Sequence, residues 1–341
     1  MKFYRILRFV ALICSYAALE AGANGQIVIA GNGTYTQDFN SMGTASGGSY
    51  PVGWTGIKLG GSNATVIGAA VNPTTGTGTS TTGAIYNFGS AGNPDRALGS
   101  LASSGFWGAI GASFMNNSGE PIAPENIQLA FRSELWRAGP NAAIVESLSF
   151  EWKIGGTMAD LTGWSPVEVF AVTEAAGDGG TGAKDGNATG NFVVLPPTTF
   201  AEITGWDDGQ VLNIRWKDKD DPQNDAGIAL DDFQMIVTGL PPFLPPLYWD
   251  ANGNVTGAGG SSPVGTWGGD DFWTTSTGGT GATGPWVDAS DAIFSAGNDA
   301  TSPYTINVIG SPAVDSLVFE DGVVTLAGGT VVFNDKHHWW K

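Results

Sequence analysis

From residue 26 onward, short runs of alternating apolar and polar residues recur along the chain, each cut off by Gly, Asn, Ser or Pro. A period of two is the mark of a strand with one buried face. It predicts strands at 27–30, 34–39, 84–88, 107–114, 127–132, 147–152, 167–172, 211–216 and 228–237. No stretch carries the 3.6-residue period of an amphipathic helix, although 98–104 and 157–162 have room for a helical turn. Strands without helices predict an all-β, antiparallel jelly-roll sandwich over residues 26–239. The Gly/Asp-rich stretch 175–190 reads as a loop.

Gly239-Leu-Pro-Pro-Phe-Leu-Pro-Pro-Leu247 closes this region, and its two Pro pairs favour a stiff, extended spacer over 240–247. The alternative for such a segment is a Pro-rich ligand for a partner's groove. Beyond it, over 248–341, the texture changes to short strands at 304–308, 314–319 and 322–333, spaced by tight glycine corners. That is how the coils of a parallel β-helix or β-solenoid read. Only one or two coils fit, whereas such stacks need about three. The ending His337-His-Trp-Trp-Lys341 is neither strand nor cap, so the chain is expected to be part of a longer protein.

Composition sharpens this picture. The chain has 341 residues with 52 Gly, 42% apolar residues and only 13% charged ones, which fits turn-rich β structure and argues against wholesale disorder. With 32 acidic against 14 basic side chains the net charge is −18, a surface that repels nucleic acid and anionic membranes. Lys2, Arg5 and Arg8 precede a short apolar run, Phe9 to Leu19, and small residues at Ala21, Ala23 and Gly25 permit cleavage. Residues 1–25 therefore read as a secretory signal peptide, too short in its apolar part to span a bilayer, and the mature chain is not expected to insert into a membrane. The single cysteine, Cys14, lies inside it, so no disulfide or cysteine metal site is expected in the exported protein.

The densest candidate chemistry is acidic. Asp218, Asp220, Asp221 and Asp225 form a Pro-broken loop, and Asp231 and Asp232 interrupt the alternating strand that follows. Carboxylates in a strand are costly to bury unless a cation or a donor meets them. Two solutions are open: a hard cation such as Ca²⁺, which takes about 6–8 oxygen ligands, or an arginine such as Arg96, Arg132 or Arg137. The loop is not an EF-hand, because Pro222 sits at a ligand position and Ala229 where a bidentate Glu belongs. Asp250 to Asn254 fails likewise, with Val255 at the required Gly.

Trp136, Trp152, Trp164, Trp206 and Trp216 offer either core packing or a stacking platform for a glycan, since aromatic faces pack on sugar C–H groups. Glu134, Glu146, Glu151, Glu168 and Glu202 show no spacing that singles out an acid/base pair for glycoside hydrolysis. The only histidines, His337 and His338, sit in the terminal pentapeptide, which makes a Ser-His-Asp arrangement improbable. Residues 279–284 fit G-x-G-x-x-G by count but precede no helix, a chance match.

Tyr248-Trp-Asp-Ala-Asn-Gly253, Gly265-Thr-Trp267, Phe272-Trp273, Asp291-Ala-Ile-Phe294 and Thr325-Leu-Ala-Gly-Gly329 resemble autotransporter-associated β-strand repeat proteins, bacterial surface-displayed or secreted passengers. Thr36-Gln-Asp-Phe-Asn40, Pro51-Val-Gly-Trp54, Glu134-Leu-Trp-Arg137 and Ile228-Ala-Leu-Asp-Asp-Phe233 resemble the jelly-roll heads of such proteins. The last of these is also similar to the close of MAM-type and carbohydrate-binding sandwiches. That resemblance implies a structural cation between first and last strands, with Asp38 facing Asp231 or Asp232. Together these readings give an exported bacterial surface or extracellular protein, non-catalytic, for display, adhesion or binding of a glycan or cell-surface polymer. The rivals are a polysaccharide-acting hydrolase head and a purely structural cap.

Overall fold

A computed structural model describes residues 25–45, 48–139, 144–175, 181–221, 225–241 and 244–334. The leader with Cys14, and His337 to Lys341, lie outside the described residues. Two compact units result, one ending at Pro241 and the other beginning at Pro242. Among the described residues there are strands and three short 3₁₀ turns, and no helix is long and apolar enough to cross a membrane.

The first unit carries fifteen strands. They are β1 (Ile27–Ile29), β2 (Gly33–Gln37), β3 (Trp54–Gly60), β4 (Thr74–Gly76), β5 (Ala84–Phe88), β6 (Ala97–Leu101), β7 (Trp107–Asn116) and β8 (Ile127–Ala138). There follow β9 (Ser147–Ile154), β10 (Ser165–Pro166), β11 (Val172–Thr173), β12 (Gly182–Ala183), β13 (Phe192–Thr199), β14 (Val211–Lys217) and β15 (Gly227–Val237). One sheet runs β1-β7-β14-β9-β10, with β3 also on β7 and β11 on β9. The other runs β12-β8-β15-β6-β5-β4, with β13 also on β8 and β2 on β15. Pairing is antiparallel except at β1/β7 and β4/β5. This is an all-β sandwich.

Alternation decides which side chains meet between the sheets. On β14, Leu212, Ile214 and Trp216 are buried, as are Leu148, Phe150 and Trp152 on β9 and Ile110, Ala112 and Phe114 on β7. They meet Ile228, Leu230, Phe233, Met235 and Val237 of β15 in one cluster. Trp216 lies at its centre, in edge-to-face contact with Phe131, Phe150 and Phe233 and stacked near-parallel to Trp54 at 6.2 Å.

Two expectations need correction, and one strand was not foreseen. Residues 98–104 were room for a helical turn, but 97–101 form β6, its side chains buried on both faces, so no single apolar face marks it. Residues 167–172 do not form one strand: Glu168–Phe170 is a 3₁₀ turn, which drops Phe170 into the core, and only Val172–Thr173 pairs with β9. Phe192–Thr199, with adjacent prolines at 196 and 197, is a strand all the same. It lies at an edge and shifts register between Leu195 and Thr198, which places the prolines where no ladder donor is needed. Part of 175–190, residues 176–180, lies outside the described residues.

The second unit is wound differently. Its strands are β16 (Leu247–Trp249), β17 (Gly265–Trp267), β18 (Trp273–Thr274), β19 (Ser290–Phe294), β20 (Pro303–Val308), β21 (Ala313–Phe319), β22 (Val323–Gly328) and β23 (Val332–Phe333). β16, β19, β21 and β23 pair in parallel in one sheet, and β17, β20 and β22 in another. Apart from β18, which pairs antiparallel with β16 at the edge of the first of these sheets, the chain thus alternates between two sheets of parallel strands. Trp249, Trp267, Trp273 and Phe294 fill the space inside as a cluster of tilted and edge-to-face rings. Asp250, fully buried, accepts the amides of Asn252 and Gly253 at 3.0 Å each, closing a turn as Asp commonly does.

Candidate functional site: a tryptophan-lined groove

On the strands of the first sheet, the residues out of phase with the core face outward. They include Ser149, Glu151 and Lys153 on β9 and Asn213, Arg215 and Lys217 on β14. Residues 155–164 fold back over this face. Gly155 and Gly156 turn the chain with φ of 71° and 68°, which only glycine adopts readily, and a Cβ on Gly156 would meet Asp160 Oδ2 at 2.2 Å. Asp160 accepts from Thr157 N and Oγ1 and pairs with Lys153 at 2.6 Å. The Lys153 hydrogen bond, with those from Thr157, holds the Asp160 carboxyl down at about 2.

This pinned loop delivers Trp164. Its indole donates to Asp160 O at 2.8 Å, and its ring lies 3.7 Å from the Arg215 guanidinium. Arg215, only 2% exposed, donates to Glu151 Oε1 through Nε at 2.6 Å and reaches Met158 O and Asp160 O through NH1. Lys217 holds the other Glu151 oxygen at 3.4 Å. Burial of Arg215 favours its neutral form, and the Glu151 carboxylate opposes that shift.

Trp164 and a second half-buried indole, Trp107, line a groove of about 980 Å³, together with Leu59, Glu151, Lys217 and Asp220 among others. Trp107 opens β7 opposite Gly60, and its odd position sets it apart from the buried Ile110, Ala112 and Phe114. Sequence reasoning passed over it as one strand residue among many.

Of the five expected platform tryptophans only Trp164 stands in a groove. Trp152 and Trp216 are packed in the core because each shares the phase of its strand's core residues, and Trp206, in the segment between β13 and β14, is buried in the same cluster. Trp216 and Trp206 satisfy their indole N–H groups on Phe170 O and Gln210 O. Trp136 is also buried, on the other side of β15, stacked on Phe88 with its N–H on Glu134. As sugar platforms these four are ruled out by burial.

The acidic residues separate as well. Among the described residues, no three His, Cys, Asp or Glu side chains stand at metal-ligand spacing, so the seven-carboxylate shell is not assembled. Asp38 is exposed and caps its own turn, accepting Asn40 N at 3.1 Å. It lines a second groove, of about 570 Å³, with Arg132 and Asp232. Asp232 is an exposed bulge residue at φ 48°, 3.5 Å from Arg132. Asp231, its neighbour in the bulge, is buried beside Glu134, which Arg132 approaches at 3.1 Å. Arg132 thus meets the carboxylates of Asp232 and Glu134, while Asp231 Oδ1 is buried without a hydrogen-bond donor. Burial raises Asp231 to about 9, helped by Glu134, and raises Glu134 to about 7 against the pull of Arg132.

Asp218 and Asp225 lie elsewhere, where the chain crosses from β14 to β15. Burial pushes Asp218 up to about 7 and Asp225 to about 6, and Glu146, missed among the expected ligands, to about 7 beside them. Asp220 and Asp221 line a small polar cleft with Asp225 and Ser103. Of the five glutamates considered for hydrolysis, Glu151 alone lines the large groove, and it is held by Arg215 and Lys217.

No family model and no curated protein matches the sequence. Among solved structures, the K2 cleaved adhesin domain of Lys-gingipain is similar over 60% of this chain and 98% of its own, at 12% identity and a TM-score of 0.33. A xylanase 10C from Cellvibrio japonicus, in complex with xylopentaose, is similar over 63% of this chain and 31% of its own, at 11% identity and a TM-score of 0.26. At such scores neither likeness carries an argument about this chain's ligand.

Proposed function

We propose that the first unit is a non-catalytic binding module of an exported, surface-displayed or extracellular protein, and that its groove takes a glycan chain. The observation that supports this is the pair Trp107 and Trp164, half-buried on one sheet face in a groove of about 980 Å³ with Glu151, Lys217 and Asp220 at its polar positions. Indole surface beside fixed polar groups is what a sugar ring requires, apolar C–H faces on one side and hydroxyls on the other. The engagement of Glu151 by two cations favours binding over acid/base work, because a general acid must carry a transferable proton. The reading is tested on a glycan array with the whole chain. Binding to a polysaccharide class should be lost in Trp164→Ala and in Trp107→Ala while the circular dichroism is retained. Unchanged binding in both variants, or release of reducing ends that Glu151→Gln abolishes, would sink it.

A further inference from the structure

The crossover between the sheets presents a different kind of site. Asp218 directly follows β14, its amide on Gly108 O at 2.8 Å, and Asp225 stands two residues before β15. The two carboxylates are 7% and 2% exposed. Each spends one oxygen on the backbone of its own loop: Asp218 Oδ1 accepts Lys219 N at 2.8 Å, and Asp225 Oδ1 accepts Asp221 N at 3.0 Å. The other oxygen of each, Oδ2, is buried without a hydrogen-bond donor. A third buried polar atom is not acidic at all: Ser100 Oγ on β6, 1% exposed, lies within reach of the Asp218 carboxyl without a well-aligned hydrogen bond. Glu146 stands at the same crossover, tied to it by the Ala226 amide that donates to Oε2.

Two buried carboxylate oxygens that meet at best one hydroxyl between them are costly, since they forgo water with little recompense. The neighbouring base offers no remedy. Lys219 has a 76% exposed side chain whose ammonium meets Asp221 at the surface. Arg132, which serves Asp232 and Glu134, has no contact here. All the candidate donors are oxygen, which selects a hard cation over a transition metal.

We propose that the β14–β15 crossover binds a calcium ion through the free oxygens of Asp218 and Asp225 and the hydroxyl of Ser100, with Glu146 beside them. Two carboxylates and a hydroxyl need no third acid, because main-chain carbonyls and water complete calcium's usual shell of about 6–8 oxygens. Such an ion would fasten the first sheet to the second: Asp218 follows a strand of one, and Ser100 and Asp225 belong to or border strands of the other. Asp218 also borders the tryptophan-lined groove, but the calcium proposal rests on Asp218, Asp225 and Ser100 and does not depend on the glycan reading.

The test uses the whole chain after exhaustive dialysis against EDTA. Calorimetric titration with calcium chloride should show one saturable site, Tb³⁺ should give tryptophan-sensitised luminescence that calcium displaces, and the melting temperature should rise with calcium. Asp225→Asn and Asp218→Asn should each weaken half-saturation by at least about tenfold, through loss of ligand charge. In EDTA both variants should melt no lower than the parent, because relief of crowded like charge offsets a lost ligand only when the ion is absent. Ser100→Ala, a smaller change, serves as a second probe if either Asn variant fails to fold, and should also weaken binding. Asp38→Asn and Asp232→Asn should leave it unchanged. Absence of calcium binding by the parent, an equal response to magnesium, or a response lost in Asp38→Asn and kept in Asp225→Asn would overturn the proposal.

Discussion

The indole of Trp107 occupies the space in which Gly60 would carry a side chain: a Cβ built on Gly60 lies 2.2 Å from two of its ring carbons. The two residues are register partners across β3 and β7. One wall of the groove is therefore set by the absence of an atom on the neighbouring strand. Gly60→Ala should drive the ring from its place at a cost of about 1–3 kcal/mol, the usual range for overpacking. Glycan binding should fall with it, although no groove residue is changed. Intrinsic fluorescence and array binding check this together. Retained binding would mean that the ring position does not matter to the ligand.

The second wall rests on Arg215. It is buried, it forks onto Glu151, and Trp164 lies on its face. Removing one partner of a buried pair strands the other charge, so Arg215→Met should destabilise by about 3–5 kcal/mol. Glu151→Met on that background should recover a large part of the loss, since the stranded carboxylate goes with it. Arg215→Lys should do poorly in place of arginine, because an ammonium supplies neither the planar fork nor the stacking face. Urea melts of the three variants measure each step.

How much of this was legible in the sequence depends on phase. Alternation located β7, β8, β9, β14 and β15, because each buries one face and leaves the other wet or differently packed. It did not locate β6, whose five residues are all buried, nor β13, where prolines at an edge mimic a break. The same phase argument separates the tryptophans. Trp152 and Trp216 fall in step with Phe150 and Ile214 and belong to the core, while Trp107 falls out of step with Ile110, Ala112 and Phe114. Trp164 sits in a loop, where no period speaks, and its role depends on Asp160 and Arg215 closing in space. The acidic loop was visible as charge, but its division among Arg132, the crossover and solvent is a matter of tertiary placement. Ser100, a small polar residue inside an unrecognised strand, gave no signal at all.

The pair Asp231 and Glu134 should make stability fall as pH rises. Both carboxyls hold protons more tightly in the fold than in the open chain, Asp231 up to about 9 and Glu134 up to about 7. For an acid raised in this way, the stabilising contribution is complete below the unfolded value near 4. It is lost progressively as pH climbs toward the folded value. Asp231→Asn keeps the shape and removes the charge, so the melting curve should flatten with pH. Near about pH 8 the variant should melt about 2–4 °C above the parent, the shift that ~1 kcal/mol brings in a domain of this size. A parallel pH profile for parent and variant would show that Asp231 is ionised at no cost.

Asp232 tests whether the Asp-Asp dipeptide is there for its charge or for its backbone. Leu230 and Phe233 both reach the core although three positions separate them, which alternation alone forbids. The register slips between Asp231 and Gln234 and Asp232 takes φ 48°, so one extra residue is absorbed as a bulge and the pattern resumes with Phe233, Met235 and Val237 inside. Asp tolerates this left-handed conformation better than most side chains, and Gly better still. Its ion pair with Arg132 is long at 3.5 Å and half exposed, worth little on its own. Asp232→Gly should therefore leave stability within about 0.5 kcal/mol of the parent. Asp232→Val, β-branched and forced to positive φ, should lose about 1–3 kcal/mol. If charge were the reason, the order would reverse: Gly would suffer, and Asp232→Glu would be the mild change. Chemical denaturation of the three variants separates the two accounts, and the conformational one requires Gly to be the best tolerated.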